Sequence, residues 1–568
     1  MKKIQLFLPV FLLVFSCNLP VPMEEKRLEG EIAENGMVVT AHPLASEIGL
    51  AVLEKGGNAF DAAIAVKFAL AVVYPRAGNV GGGGFMVFRK ANGESGTLDF
   101  REKAPKKASK DMFLDDEGNP IKNASTFGAL AVGVPGSVEG MLQTYDSLGG
   151  KLPFKELIQP AIDLAKNGFL LTTLEAEKFN SYQADFEKAN GKECYLLDST
   201  GWELGDSIKH IELAKTLELI RDNGRSGFYA GETAKLLLDQ IQQNGGILIQ
   251  EDLDDYEVVW RKPVSANYKG YKVISMPPPS SGGIALAQLL QGSERFGLTE
   301  TGHNSAQTAH YMVELERRVY ADRATHLGDM DFFEVPVAKL LDKTYLQERF
   351  ADIESEAKTP SEEIKAGKVA MIESFETTHF SIVDKEGNAV SITTTLNGNY
   401  GSKLMVKGAG FFLNNEMDDF SIKPGVSNMF GLVGGKANAI APEKRMLSSM
   451  TPTIVENPDG KLFMVVGTPG GSTIITSVYQ SILNVIDHGM NMQESVNAKK
   501  FHSQWLPDQV FYEEGAFDST TISQLQKFGH VLKTTPQLGK IEAILVKSDG
   551  TLEGAADITR GDDKAMGY

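Results

Sequence analysis

Residues 376–398 read "ETTHFSIVDKEGNAVSITTTLNG", and the way this stretch pairs with itself decides the fold. Strand-forming residues run through Phe380, Ile382 and Val383, Asp384-Lys385-Glu386-Gly387-Asn388 supplies a turn, and Ala389, Val390 and Ile392 resume the strand. With Lys385-Glu386-Gly387 as a three-residue loop and Gly387 in the left-handed position, Asp384 pairs with Asn388. Counting outward then sets Thr377 opposite Thr395. A one-residue slip would put Thr377 opposite Leu396 with Thr395 on the diagonal, so the two hydroxyls are neighbours in either register. A threonine hydroxyl is a poor nucleophile near neutral pH, and its own α-amino group can act as base only when the threonine begins a chain. Thr377 is internal. Read as chemistry, the hairpin requires scission of the Glu376–Thr377 bond, by attack of Thr377 on the Glu376 carbonyl and hydrolysis of the resulting ester. Read on its own, it is an ordinary hairpin, since threonines are common strand residues.

The chain around it has 568 residues, 42% hydrophobic and 23% charged, values of a folded protein with a large core. A net charge of -18, spread along the chain, argues against a nucleic-acid partner and against a basic membrane-surface patch. The first residues, "MKKIQLFLPVFLLVFSC", place Lys2 and Lys3 before an apolar run from Ile4 to Phe15 that is short for a membrane span and suited to an export signal. Ser16-Cys17 resembles the lipobox of bacterial lipoproteins, which implies lipidation at Cys17 and a periplasmic or membrane-anchored bacterial protein; a plain secretion signal is the alternative. Cys194 is then left without a partner, so no disulfide is expected to staple the mature fold. Residues 18–34 are assigned to a polar tether.

Helical periodicity marks segments at about 45–54, 59–72, 136–148, 154–167, 232–243, 304–325 and 473–487, alternating with strand-type runs such as "GGFMVFRK" and "GTLDFRE". Gly-Gly pairs at Gly56-Gly57, Gly149-Gly150 and Gly245-Gly246 mark helix ends. Residues 355–376 are charged and poor in aromatics, as an exposed connection into the hairpin would be. Two pieces, 35–376 and 377–568, are expected to share one core, because neither carries a self-contained set of elements.

The hairpin, together with "LNNEMDDFS", "MLSSMTPTIV" and "GTPGGSTIIT", resembles the γ-glutamyltransferase (γ-glutamyltranspeptidase, glutathione hydrolase) family in order and spacing. Upstream, "AHPLASEIGLAVLEKGGNAFDAAIAV", "GGGGFMV", "DFREKAP", "AVGVPGSVEGM", "PPPSSGGIALAQLL" and "ERRVYADRATHLGD" extend the likeness over roughly residues 35–568. The resemblance implies an α+β fold, the four-layer αββα sandwich of N-terminal nucleophile hydrolases, built from two autoprocessed subunits. It also implies that Thr377 is the nucleophile and Thr395 the residue that orients it. Arg101, Ser448 and Ser449 would take the α-carboxylate of a γ-glutamyl donor such as glutathione, Glu416 and Asp419 its α-ammonium, and Asn397 a further polar contact. Gly470-Gly471 would form the oxyanion hole, and water, amino acids or peptides would accept the acyl group. No cofactor is implied. The glycine-rich "PGVSNMFGLVGG", residues 424–435, resembles the loop that covers the pocket in many bacterial members, with Phe430 where a tyrosine is often found. Lacking a hydroxyl, Phe430 cannot bond to Asn397, which implies looser gating.

None of the nine histidines is required by this chemistry, and no pair has the spacing of a metal site. The run Gly81–Gly84 is not a phosphate loop, since no Lys-Ser/Thr pair follows it. Two rival readings stand beside the leading one. The first is an acylase of the same superfamily acting on glutaryl or cephalosporin-type amides, which would have no use for an α-ammonium pocket. The second is an unprocessed lipoprotein that binds γ-glutamyl peptides.

Overall fold

A computed structural model describes residues 27–568 except Glu193, 365–376, 424–425, Phe430, Val433, Ile558 and Arg560. Cys17, Glu376 and Phe430 therefore lie outside the described residues. Two seven-stranded antiparallel sheets form the centre. The first runs, edge to edge, Lys564–Gly567, Met37–Thr40, Thr378–Val383, Ala389–Thr395, Gly83–Arg89, Ser95–Asp99 and Val259–Arg261. The second runs Glu31–Ala33, Leu552–Ala556, Glu542–Val546, Leu462–Gly467, Thr453–Glu456, Tyr271–Ser275 and Val264–Tyr268. Each sheet takes strands from both sides of the Glu376–Thr377 bond, so neither piece can complete its hydrogen-bond ladders alone.

The hairpin pairs Val383 with Ala389 and Thr378 with Thr394, the register that the turn residues dictate. Gly387 has φ +86°, and the Asp384 N–H donates to the Asn388 carbonyl at 3.0 Å. The Asp384 carboxylate organises the turn by accepting from the N–H groups of Glu386 and Asn388, and its other oxygen accepts from the Ala59 N–H at 2.9 Å. The same side chain thus pins the turn to the start of helix Ala59–Val73, which Asn58 and Asp61 cap reciprocally.

Period-2 alternation sorts the hairpin's side chains into two layers. Phe380, Ile382, Val390 and Ile392 face a core shared with the helices Ala59–Val73, Phe154–Asn167 and Ile211–Asn223. Val383 and Ala389 point the other way, against Ile454, Val465 and Ile544 of the second sheet. The far face of that sheet, through Val455, Met464 and Val466, packs on Gly282–Ser293, Ala306–His326 and Ile474–Ile486. The architecture is the four-layer αββα sandwich expected from the sequence. The tether expected over 18–34 ends earlier, because Glu31–Ala33 pairs with Leu552–Gly554 as an edge strand. This pairing is made with a segment more than five hundred residues away, and the three residues show too little local pattern to announce it.

Among the described residues no helix is long and apolar enough to cross a membrane. Cys194 is a buried free thiol.

Candidate active site

Where the hairpin strands open toward the end of the sheet, Thr377, Thr395, Arg101, Arg323, Asn397, Glu416, Asp419, Ser448, Ser449 and Gly471 line one small cavity together with Leu432, Met450 and Ile474. Thr377 immediately precedes the strand and is 5% exposed. One step beyond the Thr378–Thr394 pair, it stands beside Thr395, whose strand is flanked on its other side by Gly83. The Thr395 hydroxyl oxygen accepts from the Asn397 N–H at 2.7 Å. Asn397 turns the chain in the left-handed region at φ +75°, which asparagine tolerates better than most residues, and its amide donates to the Asn415 carbonyl at 3.0 Å.

Arg101 follows the strand Ser95–Asp99 and is fully buried. Its guanidinium donates to the carboxylates of Glu416 and Asp419, the latter at 2.5 Å, and Nε reaches the Met446 carbonyl at 3.4 Å. The acids sit on a short 3-10 turn, Glu416–Asp419, oriented by the Asn414 side chain, which accepts from the Glu416 N–H at 3.1 Å. Burial pushes both carboxyls above the usual carboxylate range, against the downward pull of Arg101. Glu102 Oε2 also lies 3.7 Å from the guanidinium, and both side chains are fully buried. Arg323 was not singled out by the sequence; its Nε donates to Ser281 Oγ at 2.9 Å and its Nη2 donates to Ser449 Oγ at 3.1 Å. Its signal was available in "ERRVYADR", where Arg317, Arg318 and Arg323 are all buried on one helix. Two guanidinium groups and two carboxylates thus line the same cavity as Thr377.

Gly470 and Gly471, at φ +141° and +54°, form the turn into a short 3-10 segment, Gly471–Thr473, that leads into helix Ile474–Ile486. Gly471 lines the cavity. N–H groups at such a turn are outside the helical ladder and suited to an oxyanion. Asp418 and Asp419 hold the chain at Asn428 and Met429. Asp418 accepts from the Met429 N–H at 2.8 Å and from Ser125 Oγ at 2.6 Å, and Asp419 accepts from Asn428 Nδ2 at 2.9 Å. Across the loop, Gln504 Nε2 donates to the Gly431 carbonyl at 3.1 Å. His379, which the hairpin could have offered as a general base, points between the sheets, bonded to Thr393 and Ser381, and burial pushes it down to about 3.

A family model described as gamma-glutamyltranspeptidase matches residues 45–568. The chain is 45% identical over 538 residues to a glutathione hydrolase proenzyme of Escherichia coli (strain K12), covering 94% of this chain and 92% of that one. Two solved structures share the fold. A cephalosporin acylase from Bacillus halodurans aligns with a TM-score of 0.81 at 25% identity, over 98% of this chain and 99% of that one. A Helicobacter pylori gamma-glutamyltranspeptidase aligns with a TM-score of 0.57 at 46% identity, over 61% of this chain and 99% of that one.

Proposed function

The chain belongs to the gamma-glutamyltranspeptidase family, and from that premise we propose how the residues of its cavity divide the work. The protein is an autoprocessed γ-glutamyl acyltransferase and glutathione hydrolase, and its two pieces remain together as a heterodimer. The observation that carries the residue assignment is the meeting of Thr377 with Arg101, Glu416 and Asp419 in one cavity.

In maturation, Thr377 Oγ1 attacks the Glu376 carbonyl carbon. The C–N bond breaks, the amine of Thr377 is freed, and an ester joins Glu376 to the Thr377 oxygen. Water cleaves that ester, leaving the Glu376 carboxylate and a free Thr377 hydroxyl. In turnover, the Thr377 amine takes the hydroxyl proton as Oγ1 attacks the γ-carbonyl of the donor, with the N–H groups of Gly470-Gly471 receiving the developing oxyanion. The proton passes to the departing amine, and a γ-glutamyl-Thr377 ester remains. Water or the amine of an amino acid or peptide then attacks the ester and returns the hydroxyl. Arg101, Ser448 and Ser449 hold the donor's α-carboxylate, Glu416 and Asp419 its α-ammonium, and Asn397 fixes the loop beside Thr395.

Denaturing electrophoresis with N-terminal sequencing tests the assignment: two fragments, the smaller beginning at Thr377, are expected, and Thr377→Ala should give one full-length band without turnover. Cutting or turnover by that variant rejects Thr377 as nucleophile. A single band from folded, unaltered protein would favour a binder of γ-glutamyl peptides. The likeness to a cephalosporin acylase makes glutaryl amides the second substrate class to compare. A glutaryl anilide keeps the carboxylate and lacks the ammonium, so it should be turned over much more slowly than the γ-glutamyl anilide, and Asp419→Ala should narrow the gap.

We further propose that Cys17 is lipid-modified and anchors an exported, periplasmic enzyme. Cys17→Ser should move the protein from the detergent phase to the aqueous phase without changing its kinetics; unchanged partitioning would reject the anchor.

A further inference from the structure

The run Gly81–Gly84 supplies no side chain to the acyl transfer, yet it lies against both halves of the site. A Cβ at Gly82 would overlap the Thr395 carbonyl oxygen, one at Gly81 the Phe412 carbonyl, and one at Gly83 would meet the Glu102 carboxylate and the Phe100 carbonyl. The glycines are required because backbone meets backbone here. Beside the run on one side stands Asn79, and on the other Asn414, both buried.

Asn79 Nδ2 donates to the Thr395 carbonyl at 2.9 Å and to the Ala77 carbonyl at 2.8 Å. Its Oδ1 accepts from the Gly82 N–H at 3.0 Å, from Ser137 Oγ at 2.6 Å and from Lys67 Nζ at 3.2 Å. The Gly82 N–H can only donate, so the amide oxygen must face it and the amide nitrogen must face Thr395. Lys67 also holds the Asn79 backbone carbonyl at 2.6 Å. Burial pushes the Lys67 ammonium down to about 7, and either protonation state keeps enough N–H groups for both Asn79 oxygens. Asn414 mirrors this arrangement. Its Nδ2 donates to the carbonyls of Gly81 and Gly133, each at 2.9 Å, and its Oδ1 accepts from the Glu416 N–H and, at 2.9 Å, from the Gly133 N–H.

We propose that Asn79 and Asn414 are positioning residues bracketing the glycine run, Asn79 setting the nucleophile through the Thr395 carbonyl and Asn414 setting the amino-acid pocket through Glu416. The run is then a rigid spine that holds the attacking hydroxyl at a fixed distance from the groups that grip the far end of the donor. Donors in which that distance matches the span from α-carbon to γ-carbonyl are thereby selected. This inference rests on the assignment of Thr377 as nucleophile and of Glu416 to the α-ammonium.

The two asparagines touch neither donor nor Thr377, so their effects should separate in a way that general destabilisation would not. With processed heterodimer and a γ-glutamyl anilide, Asn79→Ala should lower kcat on the order of 10- to 100-fold with KM within about twofold, as misplacement of a reacting group by a fraction of an ångström does. Self-cleavage should slow in parallel. Asn414→Ala should instead raise KM about tenfold, the size of one lost hydrogen bond to a charged group's support, with a smaller change in kcat. Both variants lowering kcat and raising KM to the same degree, or Asn79→Ala retaining kcat, overturns the inference. If Asn79→Ala does not fold, Lys67→Met decides: reduced kcat at unchanged KM supports the bracket, and unchanged kcat overturns it. Thr377→Ala run alongside separates the two layers. Activity in that variant removes the assignment on which this inference rests, whereas an inactive Thr377→Ala beside an unaffected Asn79→Ala defeats the bracket alone.

Discussion

Replacing Arg101 by methionine tests substrate recognition and stability at once. The guanidinium is fully buried and paired with Glu416 and Asp419. Removing one partner of a buried ion pair leaves uncompensated charge, at a cost of about 3–5 kcal/mol. The size of that cost depends on pH, with a defined sign. Burial already raises both carboxyls above their unfolded values despite Arg101, and without the cation they rise further. A carboxyl raised in the folded state favours folding below its unfolded pKa, near 4, and that contribution is lost as pH rises through the folded value. The Arg101→Met protein should therefore lose little stability at pH 5 and most at pH 8, measured by denaturant unfolding against the parent at both. For binding, loss of the charge-assisted contact with the donor's α-carboxylate is worth about 3 kcal/mol, roughly 150-fold in kcat/KM for a γ-glutamyl anilide. Arg101→Lys, which keeps the charge without the planar fork, should fall between the two. A kcat/KM for Arg101→Met within threefold of the parent, with Thr377→Ala inactive, would refute the assignment of Arg101 to the α-carboxylate. A stability loss equal at pH 5 and pH 8 would refute the account of the buried acids.

Thr395→Ala should slow both self-cleavage and turnover by about 10²-fold, whereas Thr395→Ser, which restores the hydroxyl, should recover most of the rate; equal loss in both would mean that the hydroxyl is not what matters. Asp418 is lifted to about 6 by burial, so its contribution to stability is fully present below its unfolded pKa, near 4, and is lost as pH rises through about 6. Asp418→Asn should accordingly flatten the change of melting temperature between pH 4 and 6, and an unaltered slope would contradict this. Gly467→Ala places a Cβ against the ring of His379 between the two sheets. It should cost about 1–3 kcal/mol by overpacking, read as a lower denaturation midpoint at an unchanged m-value.

Part of this molecule is legible in its amino-acid sequence alone. The hairpin register follows from five turn residues, because a three-residue loop with one left-handed glycine leaves a single pairing, and the two-residue period then sorts Phe380 and Ile382 from His379 and Ser381. These are local constraints, settled within about ten residues. Helix Ala59–Val73 is similarly announced by its helical periodicity, which marks about 59–72. The family resemblance supplied the names of most cavity residues, which periodicity and spacing could not.

What only the tertiary structure decided is how distant charges meet. Arg101 and Glu416 are 315 residues apart in sequence, and Arg323 approaches Ser449 from a helix packed on the far face of the second sheet. Nothing in "DFRE" distinguishes a buried guanidinium from a surface one, because burial is a property of what packs on top. The glycine run is the clearest instance. Its composition excludes a phosphate loop, yet the reason for the glycines, the approach of the Thr395 and Phe412 carbonyls, appears only when strands from both sides of the Glu376–Thr377 bond are side by side. Steric exclusion between backbones acts over a few ångströms of space, not over a few residues of chain.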